Sequence, residues 1–174
     1  KLSEEPYSAE DRELLGTVAE QTAIALDYST LIEHVAERER LEREIQIASE
    51  VQSRLLPAKG PQLDGLGYEA SCRPARGVGG DFYDFLGVGP GRLGIGIGDV
   101  AGKGISAALL MASLQALLRS HAPSHNHDLA HLVHELNRHL CETTDAARFA
   151  TFFFGVYDES ARRMDYVNAG HVPP

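Results

Sequence analysis

The 174-residue chain carries a formal charge of −9, with 43% hydrophobic and 24% charged residues, values of a folded globular protein and not of a disordered one. It has no basic stripe, which excludes nucleic acid as the expected partner, and no run of about eighteen apolar residues, so no membrane-spanning helix is expected. The acid load is uneven: residues 1–56 hold 6 basic against 13 acidic side chains, whereas residues 57–174 hold 10 against 12, so a phosphate-handling domain there would need positive charge from elsewhere, such as bound metal.

The start, KLSEEPYSAEDRELL, is acidic and is no signal peptide. It lacks an initiator methionine, and the other end, NAGHVPP, stops just after an apparent strand, so the chain is expected to be a piece of a longer protein. Cys72 and Cys141 form neither a CxxC pair nor a zinc spacing and read as reduced thiols of a cytoplasmic protein.

Between Gly16 and Pro57 there is neither Gly nor Pro. Ser8 is a plausible N-cap, with Asp11 three positions on. Leu14, Val18, Ala25, Tyr28, Ile32 and Val35 recur at a/d spacing, with Gln21 as the polar seam position, and the pattern resumes out of phase at Leu41, Ile45, Ala48, Gln52 and Leu55. This predicts one helix of roughly 45 residues, about 70 Å long at 1.5 Å per residue, with a register break near residues 36–41. Its apolar seam calls for a partner, either a parallel homodimer through residues 14–55 or a neighbouring domain.

Pro57, Gly60, Pro61, Gly65 and Gly67 end the helix. Strands are then expected at Tyr68–Pro74, Asp81–Val88 and Arg92–Val100, helices at Ile105–His121 and Asp128–Thr143, and a hairpin at Ala150–Tyr157 and Arg162–Ala169. The order does not alternate as βαβα. It points to an α+β fold with antiparallel strands and flanking helices.

Two segments couple glycine to aspartate at predicted strand boundaries: Gly77-Val78-Gly79-Gly80-Asp81-Phe82-Tyr83-Asp84 and Gly98-Asp99-Val100-Ala101-Gly102-Lys103-Gly104. If the strands form a hairpin pair, Asp81 and Asp99 share one sheet end. Paired carboxylates with backbone carbonyls suit hard divalent cations, and two such ions can lower the pKa of a shared water that attacks phosphorus. Tight turns with Asp as a turn residue explain the same pattern. GDVAGKG is not a Walker loop: the required glycine is Ile97, and Gly104 stands where Ser or Thr is needed. Lys103 either neutralises a phosphate or is a solvated turn lysine. Histidines gather at 121, 125, 127, 131, 134 and 139; His127 and His131 are four apart, as on a metal-binding helix face, but HExxH is not met and a solvated face is the preferred reading. Ser106 has no nucleophile-elbow context.

VGGDFYD at 78–84, GDVAGKG at 98–104, ALLMA at 108–112, ATFFFGVYD at 150–158 and NAGHVPP at 168–174, with the lead-in QSRLLP at 52–57, resemble in order and spacing the stage II sporulation E-type branch of the PPM metal-dependent protein serine/threonine phosphatases. YSAEDRELLGTVAEQTAIALDYSTL at 7–31 resembles the last helix of a GAF sensor domain. The resemblance implies three segments: residues 1–30 as the C-terminal helix of a GAF-like domain, 31–56 as a helical coiled-coil linker, and 57–174 as the N-terminal half of a PPM-type antiparallel β-sandwich. It implies a two-metal Mn²⁺ or Mg²⁺ centre with Asp81 on one metal, Asp99 bridging both and the Val100 carbonyl completing the set. Gly80, Gly98, Gly102, Lys103 and Gly104 would shape the phosphate loop, and a metal-bound water would be the nucleophile. In eukaryotic relatives a histidine lies two positions after the bridging aspartate; here that position is Ala101. Asn168 and His171 are expected to be structural. Two further metal-binding aspartates of the family lie downstream of its matched motifs and have no counterpart before Pro174, so this piece by itself is expected to be weakly active or inactive. The implied substrate is a phosphorylated STAS-type anti-sigma-factor antagonist. The alternative is a non-catalytic signalling and dimerisation module.

Overall fold

The structure, a computed structural model, describes residues 6–74, 77–145 and 148–173. Residues 1–5 of the expected first segment and Pro174 of the closing motif lie outside the described residues. Two units separate, Lys1–Glu44 and Ile45–Pro174.

Helix α1 spans Ala9–Leu55, 47 residues. Its start is a reciprocal cap: the Asp11 N–H donates to the Ser8 hydroxyl at 3.1 Å, while the Ser8 N–H donates to the Asp11 carboxylate at 2.9 Å, so each side chain satisfies a helix-end donor. The helix passes unbroken through residues 36–41, where the Arg38–Glu42 and Arg40–Glu44 pairs run along its surface, each worth a few tenths of a kcal/mol. The expected break in seam phase thus leaves no break in the backbone. In the first unit the seam residues Leu14, Val18, Tyr28, Ile32 and Val35 are all exposed.

The second unit is built on one antiparallel sheet in the order β1-β2-β3-β4: β1 Phe82–Gly89, β2 Arg92–Val100, β3 Ala150–Asp158 and β4 Arg163–Ala169. Helices α2, Ile105–His121, and α3, Leu129–Thr143, sit between β2 and β3 in sequence. They cover one face of the sheet, where Phe82, Val88, Phe152, Phe154 and Val156 meet Met111, Leu114, Leu118, Leu132 and Leu136 in the core. Strand β2 gives this face Gly94, Gly96 and Gly98, and a Cβ there would strike the Phe154 ring, the Leu118 side chain and the Phe82 ring respectively. The alternating GIGIG of β2 is therefore a trough into which neighbouring large side chains lie, a close approach that only glycine permits.

The α+β class, the flanking helices and both hairpins agree with the sequence reading, and the described strands make a single sheet. The strand expected at Tyr68–Pro74 does not form. The segment is extended but joins no ladder; residues 63–66 make only an isolated bridge between Leu63 and Leu66. It is held by side chains instead: Tyr68 packs on Phe85 with ring centroids 4.7 Å apart, and its hydroxyl donates to the Pro61 carbonyl. Among the described residues no helix is long and apolar enough to cross a membrane.

Asp84 on β1 is fully buried. Its carboxylate accepts two bonds from Arg119 of α2, at 2.6 and 3.1 Å, and one from Gln115 at 3.2 Å. The same two side chains donate to the carbonyl of Leu55, the last residue of α1, at 2.8 and 3.1 Å. The pairing with Asp84 holds the Arg119 guanidinium above its ordinary pKa. Asp84→Ala should lower stability by about 3 kcal/mol, the low end for breaking a buried ion pair because Arg119 keeps access to water. Urea unfolding checks this: the midpoint should fall with an unchanged slope.

Candidate functional site

The β1–β2 ladder pairs Phe82 with Gly98 and carries on past the strand ends, where the Val100 N–H donates to the Gly80 carbonyl at 3.3 Å. That register sets Asp81, one residue before β1, across from Asp99, near the end of β2. Their carboxyls are close enough for each to feel the other's charge. The Asp81 carboxyl is pushed above the usual carboxylate range, first by burial, then by the charge of Asp99 and by the hydrogen bond to it, against a smaller opposing pull from His171. Two carboxylates that close disfavour full ionisation of both.

The loop before Asp81 is fixed from α1. The Gln52 side chain, itself buried, donates to the Gly79 carbonyl at 2.6 Å and accepts from the Gly79 N–H at 3.1 Å. Ser49 donates to the Gly77 carbonyl at 2.7 Å. A Cβ on Gly80 would collide with the Val100 carbonyl oxygen, so only glycine lets these two buried backbone segments pack this closely. After Asp99 the chain turns through Gly102 and Gly104 with φ of 117° and 76°, backbone that side chains rarely tolerate. Gly104 caps α2 without a side chain, so no side-chain oxygen takes the first-turn N–H groups. Lys103 is exposed on this loop.

The sequence thus placed Asp81, Asp99, Val100, Gly80, Gly98, Gly102, Lys103 and Gly104 around one sheet end. It missed two neighbours. Gln52 looked like a seam residue but clamps the Asp81 loop. His171, held by Thr151 at 2.9 Å and by the Asn168 turn, also acts on Asp81 through its charge. The Cys72 thiol donates to the Asp81 carbonyl at 3.7 Å and is pushed up, by burial first and by Asp81 second. Both Cys72 and Cys141 are free. The donors at the sheet end, two carboxylates and a backbone carbonyl, are of the kind that suits part of a hard-cation site; among the described residues no group of three or more His, Cys, Asp or Glu could hold a metal ion.

The His127–His131 pairing, set aside above in favour of a solvated face, is not formed. His127 precedes α3 and contacts Arg92 at 3.0–3.2 Å, because Arg92 also reaches the Asn126 carbonyl at 3.1 Å and holds this turn against β2.

Residues 89–174 match the Stage II sporulation protein E (SpoIIE) family. The chain is 35% identical over 136 residues to phosphoserine phosphatase RsbU of Bacillus subtilis (strain 168), covering 78% of this chain and 40% of RsbU. It is 32% identical over 139 residues to phosphoserine phosphatase RsbP of the same organism, covering 75% of this chain and 33% of RsbP. A solved structure of the RsbU and RsbW domains of Rv1364c from Mycobacterium tuberculosis is similar at 29% identity and a TM-score of 0.49, over 55% of this chain and 26% of that one. The chain spans less than half the length of the curated relatives it matches.

The raised Asp81 carboxyl has a signed consequence. A carboxyl whose folded pKa lies above its unfolded value stabilises the fold below the unfolded pKa, about 3.9, and loses that contribution as pH rises through the folded one. In chelator, Asp81→Asn should therefore melt higher than the parent at neutral pH, and the difference should shrink as pH falls toward 4. Circular-dichroism melts across that range check it; a difference independent of pH would contradict it.

Proposed function

We propose, with this chain's membership of the SpoIIE-type branch of the PPM phosphatases as the premise, that it forms part of an enzyme hydrolysing phosphoserine or phosphothreonine on a protein. The observation that carries the reading is the Asp81–Asp99 pair, two acids that the β1–β2 register sets across from each other at one sheet end. Asp81, Asp99 and the Val100 carbonyl would hold Mn²⁺ or Mg²⁺ in a two-metal centre, with other ligands from outside the described residues. Bound there, the ions would supply positive charge and an acidic water. The chain's own residues prepare that place. Gln52 and Ser49 fix the loop that presents Asp81, Gly80 lets that loop lie against the Val100 carbonyl, and the first turn of α2, which has no side-chain cap, offers N–H groups to phosphoryl oxygens. Lys103 adds a cation at the mouth. Ala101 offers no proton, so the role of acid at that position is vacant or filled by water.

The substrate this reading favours is a phosphorylated STAS-type anti-sigma-factor antagonist, in line with relatives named phosphoserine phosphatases. The test is hydrolysis of such a phosphoprotein, and of an aryl phosphate, by the full-length protein with and without Mn²⁺. Asp99→Ala should reduce turnover by more than the roughly 10–100-fold that loss of an outer-shell partner costs a metal enzyme. Undiminished activity in Asp99→Ala overturns the assignment.

A second reading is a non-catalytic signalling and dimerisation module, for which the exposed apolar seam of α1 supplies the pairing surface. It predicts no turnover in the same assay.

Both readings share the segment plan of a GAF-like helix at residues 1–30, a coiled-coil linker at 31–56 and the PPM-type half-domain from 57. They also share a parallel homodimer through residues 14–55, supported by the exposed seam of Leu14, Val18, Tyr28, Ile32 and Val35. A charge placed in such a seam is poorly tolerated. Ile32→Lys should convert the dimer to monomer in sedimentation equilibrium; a monomeric parent would refute the pairing.

A further inference from the structure

Outside the sheet-end site, four histidines run as a row over the junction of α2 and α3. Ring centroids are 6.1 Å apart for His121–His125, 5.0 Å for His125–His131 and 6.4 Å for His131–His134. The row joins three pieces of chain: the end of α2, the turn after it, and the first turns of α3.

The hydrogen bonds fix which nitrogen is available. His125 Nδ1 lies 3.0 Å from the His121 carbonyl, and His121 Nδ1 lies 2.9 Å from the Leu117 carbonyl. A carbonyl only accepts, so Nδ1 carries the proton in each ring, and in the neutral ring Nε2 keeps its lone pair. That arrangement, Nδ1–H on a backbone carbonyl, is the usual way a metal-binding histidine is oriented. His131 is held just as firmly at its backbone: its N–H donates to the Asp128 carboxylate at 2.9 Å, the N-cap of α3.

The spacing fits chelation. A Zn–N bond of about 2.0–2.1 Å puts each ring centroid roughly 3.2 Å from the ion, so two imidazoles at a tetrahedral angle have centroids about 5 Å apart. The His125–His131 distance of 5.0 Å matches; the two flanking pairs are wider. Negative charge is close by: Glu135 is held below the usual carboxylate range, first by its bond from Arg138 and also by the fields of His131 and His134.

We propose that His125 and His131 form a two-histidine site for a borderline divalent transition ion such as Zn²⁺, with water completing the coordination shell, tying the turn after α2 to the start of α3. Imidazole nitrogen selects this class over Mg²⁺ and Mn²⁺, so the site differs in ligand chemistry from the carboxylate pair at the sheet end and stands apart from the phosphatase reading.

The experiment is a calorimetric titration of Zn²⁺ into the chain with excess Mg²⁺ present to occupy oxygen-donor sites. Binding should be stoichiometric and in the micromolar range. His125→Ala and His131→Ala should each weaken it at least ~10-fold, whereas His127→Ala, whose ring is engaged by Arg92, should leave it unchanged. Zn²⁺ should also raise the melting temperature of the parent but not of the His125→Ala/His131→Ala double variant, since ligand bound only to the folded state stabilises it. Equal affinity in the double variant, whether through Cys141 or any other group, or no heat up to millimolar Zn²⁺, overturns the proposal.

Discussion

The second unit is organised by one buried charge. Asp84, with none of its surface exposed, is matched by Arg119 and Gln115, and those side chains also take the last carbonyl of α1. A helix leaves its final carbonyls without intrahelical partners, and the Leu55 oxygen finds its donors on α2. The end of α1, the middle of β1 and the body of α2 are thereby held by a single polar cluster inside an apolar core. A carboxylate in that place is tolerated only because its donors are complete.

From that anchor the geometry of the sheet end follows. With α1 fixed at Leu55, Gln52 one turn earlier reaches the 77–80 loop and substitutes for a strand, offering Gly79 a donor and an acceptor as a neighbouring backbone would. The loop then enters β1 in a register that sets Asp81 against Asp99. Helix and acid pair are connected through contacts of two or three residues, so the position of the last turns of α1 and the position of Asp81 are not independent.

The strands and helices that matched the sequence reading are those with strong internal signals: the unbroken glycine- and proline-free run of α1, the apolar face of α3, and the FFFGV strand paired across a short polar turn. The segment Tyr68–Pro74 has alternation like a strand, yet no local pattern records how an extended piece will meet its neighbour: here it contacts the edge strand β1 through the Tyr68 and Phe85 rings and not through a ladder. The Asp81–Asp99 proximity was legible because a hairpin register follows from strand limits. The role of Asp84 was not, because it shares a motif with Asp81 and no pattern marks an acid as buried until its partner, 35 residues on, is in place. The histidines illustrate the same limit. By sequence the spacing of four between His127 and His131 ranks below a solvated face; α3 begins only at Leu129, so helical spacing does not apply across that pair, and Arg92 engages His127.

Asp81 and Asp84 lie three residues apart and meet opposite electrostatic fates. The strand pleat turns Asp84 with Phe82 toward α2, where an arginine neutralises it. Asp81, before the first paired residue, is turned to the sheet end, where its neighbour is another acid and the nearest positive influence is His171. An arginine at that end would neutralise the pair and fill the space beside it. The chain supplies instead glycines, which let the Gly80 and Val100 backbones pack closely and leave the first turn of α2 without a side-chain cap. Uncompensated acid at that end is unfavourable for the protein taken alone and favourable once a small, hard cation arrives, which is why the same residues that weaken this corner of the fold make it the place where phosphate chemistry is proposed.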